Sequence, residues 1–136
     1  MYSYSDLGLW NRVGELAEAG ITVRLLINEG IFRPSVSNCE KCDVLEEKGV
    51  DIRWIRKTLH HKFAIIDGPG MAELSEEALQ ETVLVTGSGN WSSSSSTRYD
   101  EDFLVFVGDA LRINAFQGEF NYLWDNSVAW GTDFGF

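Results

Sequence analysis

Two short segments of the chain carry side chains that could do chemistry on an anionic ester. The first runs from His60 through Lys62 to Asp67, and the second is the run Gly-Ser-Gly-Asn-Trp that contains Ser88 and Asn90. An imidazole is a competent nucleophile near neutral pH and can later transfer a proton. A lysine supplies positive charge, and an asparagine donates hydrogen bonds without competing as a base. Together these residue types predict a site that neutralises and attacks a negatively charged ester.

Both segments are predicted to border strands. Residues 61–66 and 82–86 are short apolar runs of the kind that form buried strands. Because side chains alternate along a strand, His60 and Lys62 share a face if His60 continues the first strand, and His61 then takes the other face. The two glycines of the second segment lack side chains and would let another group approach the backbone closely.

The rest of the chain predicts αβ units within a single domain over residues 1–136. A helix that ends at a glycine and leads into a strand occurs twice, at residues 5–19 with 21–27 and at residues 37–48 with 50–55. Ser5 is the predicted N-cap of the first helix, and Ser37 with Glu40 fits a capping box for the second. A strand at residues 103–107 and a helix capped by Asp109 follow. The prediction is an α/β fold with a mixed β-sheet flanked by helices.

Three segments are less regular. Residues 68–81 are acidic and predict a surface excursion with room for one short helix, or a lid over the site. The five serines at 92–96 are compatible with a flexible link or with the start of a helix or turn near a phosphate. A short first strand ending at Tyr4, or a chain cut from something longer, would both explain the start of the sequence.

The charge balance narrows the function classes. A net charge of −10 disfavours a protein that wraps nucleic acid by electrostatics alone, yet four of the 11 lysines and arginines lie within residues 53–62, beside both histidines. That clustering favours a local site for a phosphate diester. We find no apolar run of the roughly 20 residues that a membrane-spanning helix needs and no signal peptide, so the compartment is left open, with the cytoplasm as the default.

The two cysteines, Cys39 and Cys42, are too few for a disulfide framework. A zinc site needs four ligands, and the histidines available are those of the first segment. We therefore expect both sulfurs to pack on one helix face, while a metal shared with a second chain stays an alternative.

The order H-x-K-x(4)-D followed by G-S-x-N-W resembles the phospholipase D superfamily, the HKD phosphodiesterases. The resemblance implies a phospholipase D-like sandwich and a metal-independent reaction without a cofactor. It also implies that His60 is the catalytic histidine that forms a phosphohistidine, and that Lys62 and Asn90 bind the phosphate with Ser88 as a supporting hydroxyl. Asp67 matches the motif aspartate, which in this family is more structural than chemical. Glu101 is predicted to bond the other nitrogen of the histidine and fix its tautomer.

This family commonly carries two motifs, whereas this chain has one. The resemblance therefore implies either a homodimer with the site on its twofold axis or a second HKD half in a longer chain. The first functional hypothesis is a phosphodiesterase that acts on phospholipids, with a role in lipid degradation, by hydrolysis or by transfer to an alcohol. Two alternatives stay open: an endonuclease of the single-motif type that acts on DNA or RNA, and a non-catalytic binding or dimerisation module.

Overall fold

The computed structural model describes residues 5–28, 36–55, 58–70 and 75–130, without the side chains of residues 36–40 and 96. This part of the chain contains both helices and strands, interspersed along the sequence, which confirms the predicted α/β class. Their order is α1 (Leu7–Glu18), β1 (Arg24–Asn28), α2 (Val36–Glu47), β2 (Asp51–Ile55), β3 (Phe63–Ile66), α3 (Glu76–Leu79), β4 (Val83–Gly87), α4 (Ser95–Arg98), β5 (Phe103–Val107), α5 (Ala110–Asp125) and β6 (Val128–Ala129).

The described strands form two sheets of three strands each. In the first sheet β2 pairs in parallel with β1 and antiparallel with the short β6. In the second sheet β4 lies between β3 and β5, and both pairings are antiparallel. The connection from β2 to β3 passes from one sheet to the other, and it contains the first half of the predicted site.

The two helix-glycine-strand units form as predicted, with one correction at a cap. Asp6, not Ser5, caps α1, since the Asp6 carboxylate accepts a hydrogen bond from the Leu9 N–H at 3.0 Å. Gly20 and Gly49 end the two helices with φ angles of 87° and 96°, a left-handed conformation that glycine adopts without a Cβ penalty. The capping box predicted for the second helix falls on side chains outside the described residues.

Several predicted strand boundaries shift along the chain by one to three residues. The strand predicted at residues 61–66 begins at Phe63, and the strand predicted at residues 21–27 begins at Arg24 and ends at Asn28. The acidic excursion does contain one short helix, α3, whose N-cap is Ser75. The serine run leads into the short α4. A strand ending at Tyr4 was predicted for a part of the chain outside the described residues.

The first sheet is covered on both faces. One face packs against α1 and α2 in a cluster that includes Trp10, Ile27, Cys42 and Ile52. The other face packs against α5 in a second cluster, which comprises Leu26, Ile55, Leu59, Leu123 and Trp124. The placement of Cys42 in the core agrees with the predicted packing role of the cysteines, and the Cys39 side chain is not described.

The second sheet is covered on one face alone within the described residues. Phe63 of β3 contacts Phe116 and Phe120 of α5, with ring centroids 5.0 and 6.5 Å apart, and Leu84 is fully buried. The strand register places a set of apolar residues on the opposite face, which we name the uncovered face: Ala64, Ile66, Val83, Val85, Phe103, Val105 and Val107.

Among the described residues, the helices are all too short or too polar to cross a membrane.

Candidate active site

His60 and Lys62 are in contact. The Lys62 Nζ atom lies 3.2 Å from Nδ1 and 3.4 Å from Nε2 of His60, and it donates to the His60 carbonyl oxygen at 3.0 Å. Both ring nitrogens of His60 are within reach of the Lys62 ammonium group, and the tautomer of the ring determines which of them can accept from it. The Lys62 side chain is buried, with 8% exposure, whereas the His60 side chain is exposed. A buried cation therefore supports an imidazole that solvent and substrate can reach.

Each sheet positions one member of this pair. The neighbour of the histidine, Leu59, is 3% exposed and belongs to the cluster under the first sheet. The carbonyl oxygen of Lys62 accepts a hydrogen bond from the Thr86 hydroxyl of β4 at 3.3 Å. The contact between His60 and Lys62 thus depends on how the two sheets are joined.

Two opposing influences act on Lys62. Burial lowers the pKa of its ammonium group, because the charged form is poorly solvated, and the negative charge of Glu101 raises that pKa. The burial effect is the larger one. Glu101 therefore contributes to the electrostatics of the site through Lys62.

Ser88 joins the second motif segment to the acidic run before β5. Its hydroxyl donates to Glu101 at 2.5 Å and accepts from the backbone N–H of Asp102 at 3.0 Å. The Ser88 N–H also donates to the Asp102 carbonyl oxygen at 3.1 Å. In this state the Ser88 hydroxyl proton is directed at Glu101. The predicted contact between Glu101 and His60, and the predicted contact between Ser88 and substrate, stay predictions.

The start of β5 occupies the space beside the two glycines of the second segment. A Cβ atom at Gly87 would overlap the carbonyl oxygen of Asp102, and one at Gly89 would overlap the ring of Phe103. The close approach predicted at these glycines is therefore made by the start of β5. Without this close approach the acidic run before β5 could not lie against the second motif segment.

Asn90 is half-buried, and its Oδ1 atom is buried without a hydrogen-bond partner among the described residues. The Oδ1 atom of Asn90 therefore forms no hydrogen bond that holds the described part of the fold together. The next residue, Trp91, does help to hold the fold together. Its carbonyl oxygen accepts hydrogen bonds from the N–H groups of Ser5 and Asp6 at 3.0 and 3.2 Å. The motif tryptophan also packs against the core cluster that contains Trp10.

Asp67 lies at the far end of β3. It is exposed, it has a φ angle of 53°, and its carbonyl oxygen accepts from the Thr82 hydroxyl at 2.8 Å. Five residues of extended chain separate it from Lys62, which corresponds to roughly 16 Å. The structure thus brings His60, Lys62, Ser88 and Glu101 to one end of the second sheet and places Asp67 at the other.

The basic cluster of residues 53–62 divides between two environments. Lys62 belongs to the site, whereas the Arg53 guanidinium lies over the Trp124 ring, 4.5 Å from its centroid. Arg56 and Lys57 fall outside the described residues. Of the two described cations of this cluster, Lys62 lies at the site and Arg53 does not.

His61 and Glu119 are site neighbours that the sequence did not reveal as a pair. The imidazole Nε2 of His61 lies 3.4 Å from a carboxylate oxygen of Glu119 on α5. As predicted, His61 turns to the side of Phe63, with ring centroids 5.8 Å apart. An open surface depression of about 450 Å³ lies at this place and is lined by Thr58, Leu59, His60, His61, Glu119 and Leu123.

Comparison with known proteins identifies the family. Residues 1–124 match the family described as "Cardiolipin synthase, PLD-like domain". The chain belongs to the phospholipase D-like family. This match confirms the family that the two motif segments indicated, and it covers both of them.

Curated relatives of this phospholipase D-like chain are cardiolipin hydrolases. The mitochondrial cardiolipin hydrolase of Xenopus tropicalis is 28% identical over 136 residues, which cover 98% of this chain and 57% of that protein. The mitochondrial cardiolipin hydrolase of Chlamydomonas reinhardtii is 30% identical over 113 residues, which cover 82% of this chain and 43% of that protein. The chain thus spans about half the length of the curated relatives it matches.

A solved structure confirms the fold. The phospholipase D family member Nuc from Salmonella typhimurium aligns with a TM-score of 0.79 at 16% sequence identity, over 97% of this chain and 79% of that one. At this identity the likeness concerns the fold. The arrangement of two sheets and surrounding helices is therefore the phospholipase D-like fold.

Within the described residues, no three or more side chains of His, Cys, Asp or Glu are grouped so that they could hold a metal ion.

Proposed function

We propose that this phospholipase D-like protein cleaves or transfers a phosphodiester through a phosphohistidine formed on His60. The observation that carries the proposal is the contact of 3.2 Å between the exposed His60 ring and the buried Lys62 ammonium group. A phosphodiester is anionic, so a nucleophile needs a nearby positive charge before it can approach phosphorus. In this pair His60 supplies the nucleophile and Lys62 supplies the positive charge.

The steps follow from these groups. Lys62 and the Asn90 amide bind the non-bridging oxygens, and a ring nitrogen of His60 attacks phosphorus. A phosphorus–nitrogen bond forms, a phosphorus–oxygen ester bond breaks, and the leaving oxygen takes a proton from a general acid. Water or an alcohol then gives its proton to the conjugate base of that general acid and attacks the phosphohistidine, which releases His60 with a monoester product from water or a diester product from an alcohol.

The general acid is proposed to be His60 of a second copy. The sequence contains two histidines, His60 and His61, and His61 pairs with Glu119. The uncovered face begins beside the site, since Phe103 packs on Gly89, next to Asn90. A twofold contact through this apolar face would bring two sites together, and the proposed active form is a homodimer.

The proposed substrate is a phospholipid. The names of the curated relatives, which are cardiolipin hydrolases, support this choice, and a net charge of −10 is unfavourable for binding a polyanion. The second candidate is an endonuclease, supported by the single-motif format. A titration of DNA binding against salt separates the two, because phosphate contacts give an affinity that falls steeply with salt and a flat response excludes them.

The test compares His60→Ala and Lys62→Ala with Lys48→Ala on an activated phosphodiester. We expect each of the first two to lower turnover at least about a thousandfold, because a nucleophile or its charge partner is removed. Lys48 pairs with Glu18 at 3.0 Å, away from the site, so its variant should retain turnover. Mass spectrometry of quenched wild-type protein should find His60 bonded to a phosphoryl group that still carries the retained ester arm. Unchanged turnover in His60→Ala would refute the enzyme, and no turnover in the wild type would favour the binding module.

A further inference from the structure

Asn28 is a buried amide that the chemistry described above does not use. It ends β1, directly after the buried Leu26 and Ile27, and is itself 5% exposed. An amide that is removed from water lowers stability unless it forms hydrogen bonds, and an apolar side chain would suit this part of the core better. A buried amide here therefore points to a specific hydrogen-bonding role.

The partner of Asn28 is the backbone of the segment that carries His60. The Oδ1 atom of Asn28 accepts a hydrogen bond from the Leu59 N–H at 3.4 Å, although the two residues are 31 positions apart along the chain. The strand register explains this contact. Asn28 lies opposite Ile55, the last residue of β2, and beyond Ile55 the chain crosses to the second sheet.

Leu59 is held in two ways. Its side chain is 3% exposed within the cluster between the first sheet and α5, and its N–H is bonded to Asn28. The side chain fixes where Leu59 lies, and the hydrogen bond fixes the orientation of its peptide group. Consecutive Cα atoms are about 3.8 Å apart across a trans peptide, so the backbone of His60 then has little freedom. Because the His60 side chain is exposed, its placement depends strongly on this backbone.

The other end of the segment is fixed independently of Asn28. Lys62 is 8% exposed, and its carbonyl oxygen accepts from the Thr86 hydroxyl of β4 at 3.3 Å. Loss of the Asn28 contact should therefore displace His60 and leave Lys62 in place. A displacement of about 1 Å at a reacting group can lower a rate about a hundredfold.

We propose that Asn28 is a positioning residue that holds the His60 imidazole against Lys62 through the peptide group of Leu59. This inference rests on the proposed function. Asn28 acts on the nucleophile and not on the bound phosphate, since Lys62 and Asn90 are the groups proposed to bind the non-bridging oxygens. Its removal should therefore lower kcat and leave KM nearly constant, the signature of an interaction that counts in the transition state.

The kinetic test removes the acceptor oxygen and then restores it. Asn28→Leu and Asn28→Ala lack the acceptor, and each should lower kcat on the activated phosphodiester by about tenfold to a hundredfold. Asn28→Asp keeps an acceptor oxygen at the same place and should recover most of the rate. Gln117→Leu removes another buried amide, which donates to Asn121 at 2.8 Å and lies beside Gly68, and this control should keep kcat.

Circular dichroism should find all these variants folded. An unchanged kcat in both Asn28→Leu and Asn28→Ala would overturn the positioning role. A rise in KM that accounts for the whole loss, or an equal loss in Asn28→Asp, would overturn it as well.

NMR spectroscopy tests the same role without turnover. Asn28→Leu should speed hydrogen exchange of the Leu59 amide by at least about tenfold, while the amides of β2 stay protected and Asn28→Asp keeps the wild-type rate. The His60 ring signals, assigned with His60→Asn, should shift in Asn28→Leu and stay unchanged in Gln117→Leu. Unchanged exchange and ring signals in Asn28→Leu refute the positioning role. The expected changes in a protein whose wild type shows no turnover support that role and refute the proposed chemistry.

Discussion

Within the part of the chain that the structure describes, the two sheets have the same number of strands and opposite surroundings. In the first sheet Ile27 and Ile52 are completely buried, because α1 and α2 cover one face and α5 covers the other. In the second sheet α5 covers one face, while Ile66, Val105 and Val107 on the uncovered face are 49%, 60% and 64% exposed. Burial of apolar surface that stabilises the fold is thus concentrated in the first sheet.

The site lies where the two sheets are joined. His60 follows a residue anchored in the first core, and Lys62 is hydrogen-bonded to the second sheet through Thr86. A row of apolar residues that a single chain leaves exposed marks a surface for another molecule. We therefore assign stability to the first sheet, and the proposed assembly, together with half of the site, to the second.

The largest expected effect tests assembly at the uncovered face. Val105→Asp would place two like charges against each other in the proposed dimer, so we expect monomers and a loss of activity of at least about a hundredfold. Analytical ultracentrifugation and turnover measure this effect, and circular dichroism should find the fold intact. Val44→Asp, at a residue 48% exposed on α2, is the matched control and should change neither. An active Val105→Asp monomer would contradict the assignment.

The second prediction compares the stability contributions of the two sheets. Ile52→Ala leaves a cavity in a packed core and should lower the free energy of unfolding by about 2–5 kcal/mol. Val105→Ala, in dilute protein where monomers dominate, should change that free energy by no more than about 0.5 kcal/mol. Urea unfolding provides both values. Equal losses would mean that the uncovered face is part of the monomer core.

The third prediction concerns the junction between β4 and β5. Gly87→Ala should lower the free energy of unfolding by about 1–3 kcal/mol, because its Cβ overlaps the Asp102 carbonyl oxygen and forces the strands apart. Turnover should fall as well, since the Ser88 contacts depend on that junction. Gly118→Ala in α5 meets no atom within 4 Å and should stabilise the protein by up to about 1 kcal/mol. A neutral Gly87→Ala would show that the junction can relax.

The smallest expected effect is on pH dependence. Burial lowers the pKa of Lys62 below its ordinary value of 10.5, so activity should decline on the alkaline side before pH 10.5 as the ammonium group loses its proton. Glu101 raises that pKa, and Glu101→Gln should move the decline to still lower pH. Profiles of kcat/KM measure the shift, with the exposed Glu77→Gln as control.

The lowered pKa of Lys62 also determines how the free energy of unfolding changes with pH. In the window below pH 10.5 the unfolded chain binds more protons at Lys62 than the folded one, so the free energy of unfolding should rise with pH there. Lys62→Met should remove this slope. A slope of the opposite sign would mean that the charged form is stabilised in the fold.

Local patterns predicted much of the fold. The strand at residues 103–107 and the Asp109 cap of the last helix were correct, because β-branched runs and N-cap side chains act over a few residues. The assignment of Ser5 as a cap was wrong because the adjacent Asp6 bonds the first turn, while the Ser5 N–H is taken by Trp91. The strand predicted from residue 61 begins later, since the motif segment leaves the sheet to reach the first core.

By itself the sequence determined the family and the residues of the motif, because the spacing of His60, Lys62, Ser88 and Asn90 is a property of the chain alone. Tertiary structure alone decided the pairing of His61 with Glu119, the burial of Lys62 and the exposure of Val105. The physical reason is that a charge partner or a covering helix comes from a segment far along the chain. No local pattern of side chains specifies which distant surfaces will meet.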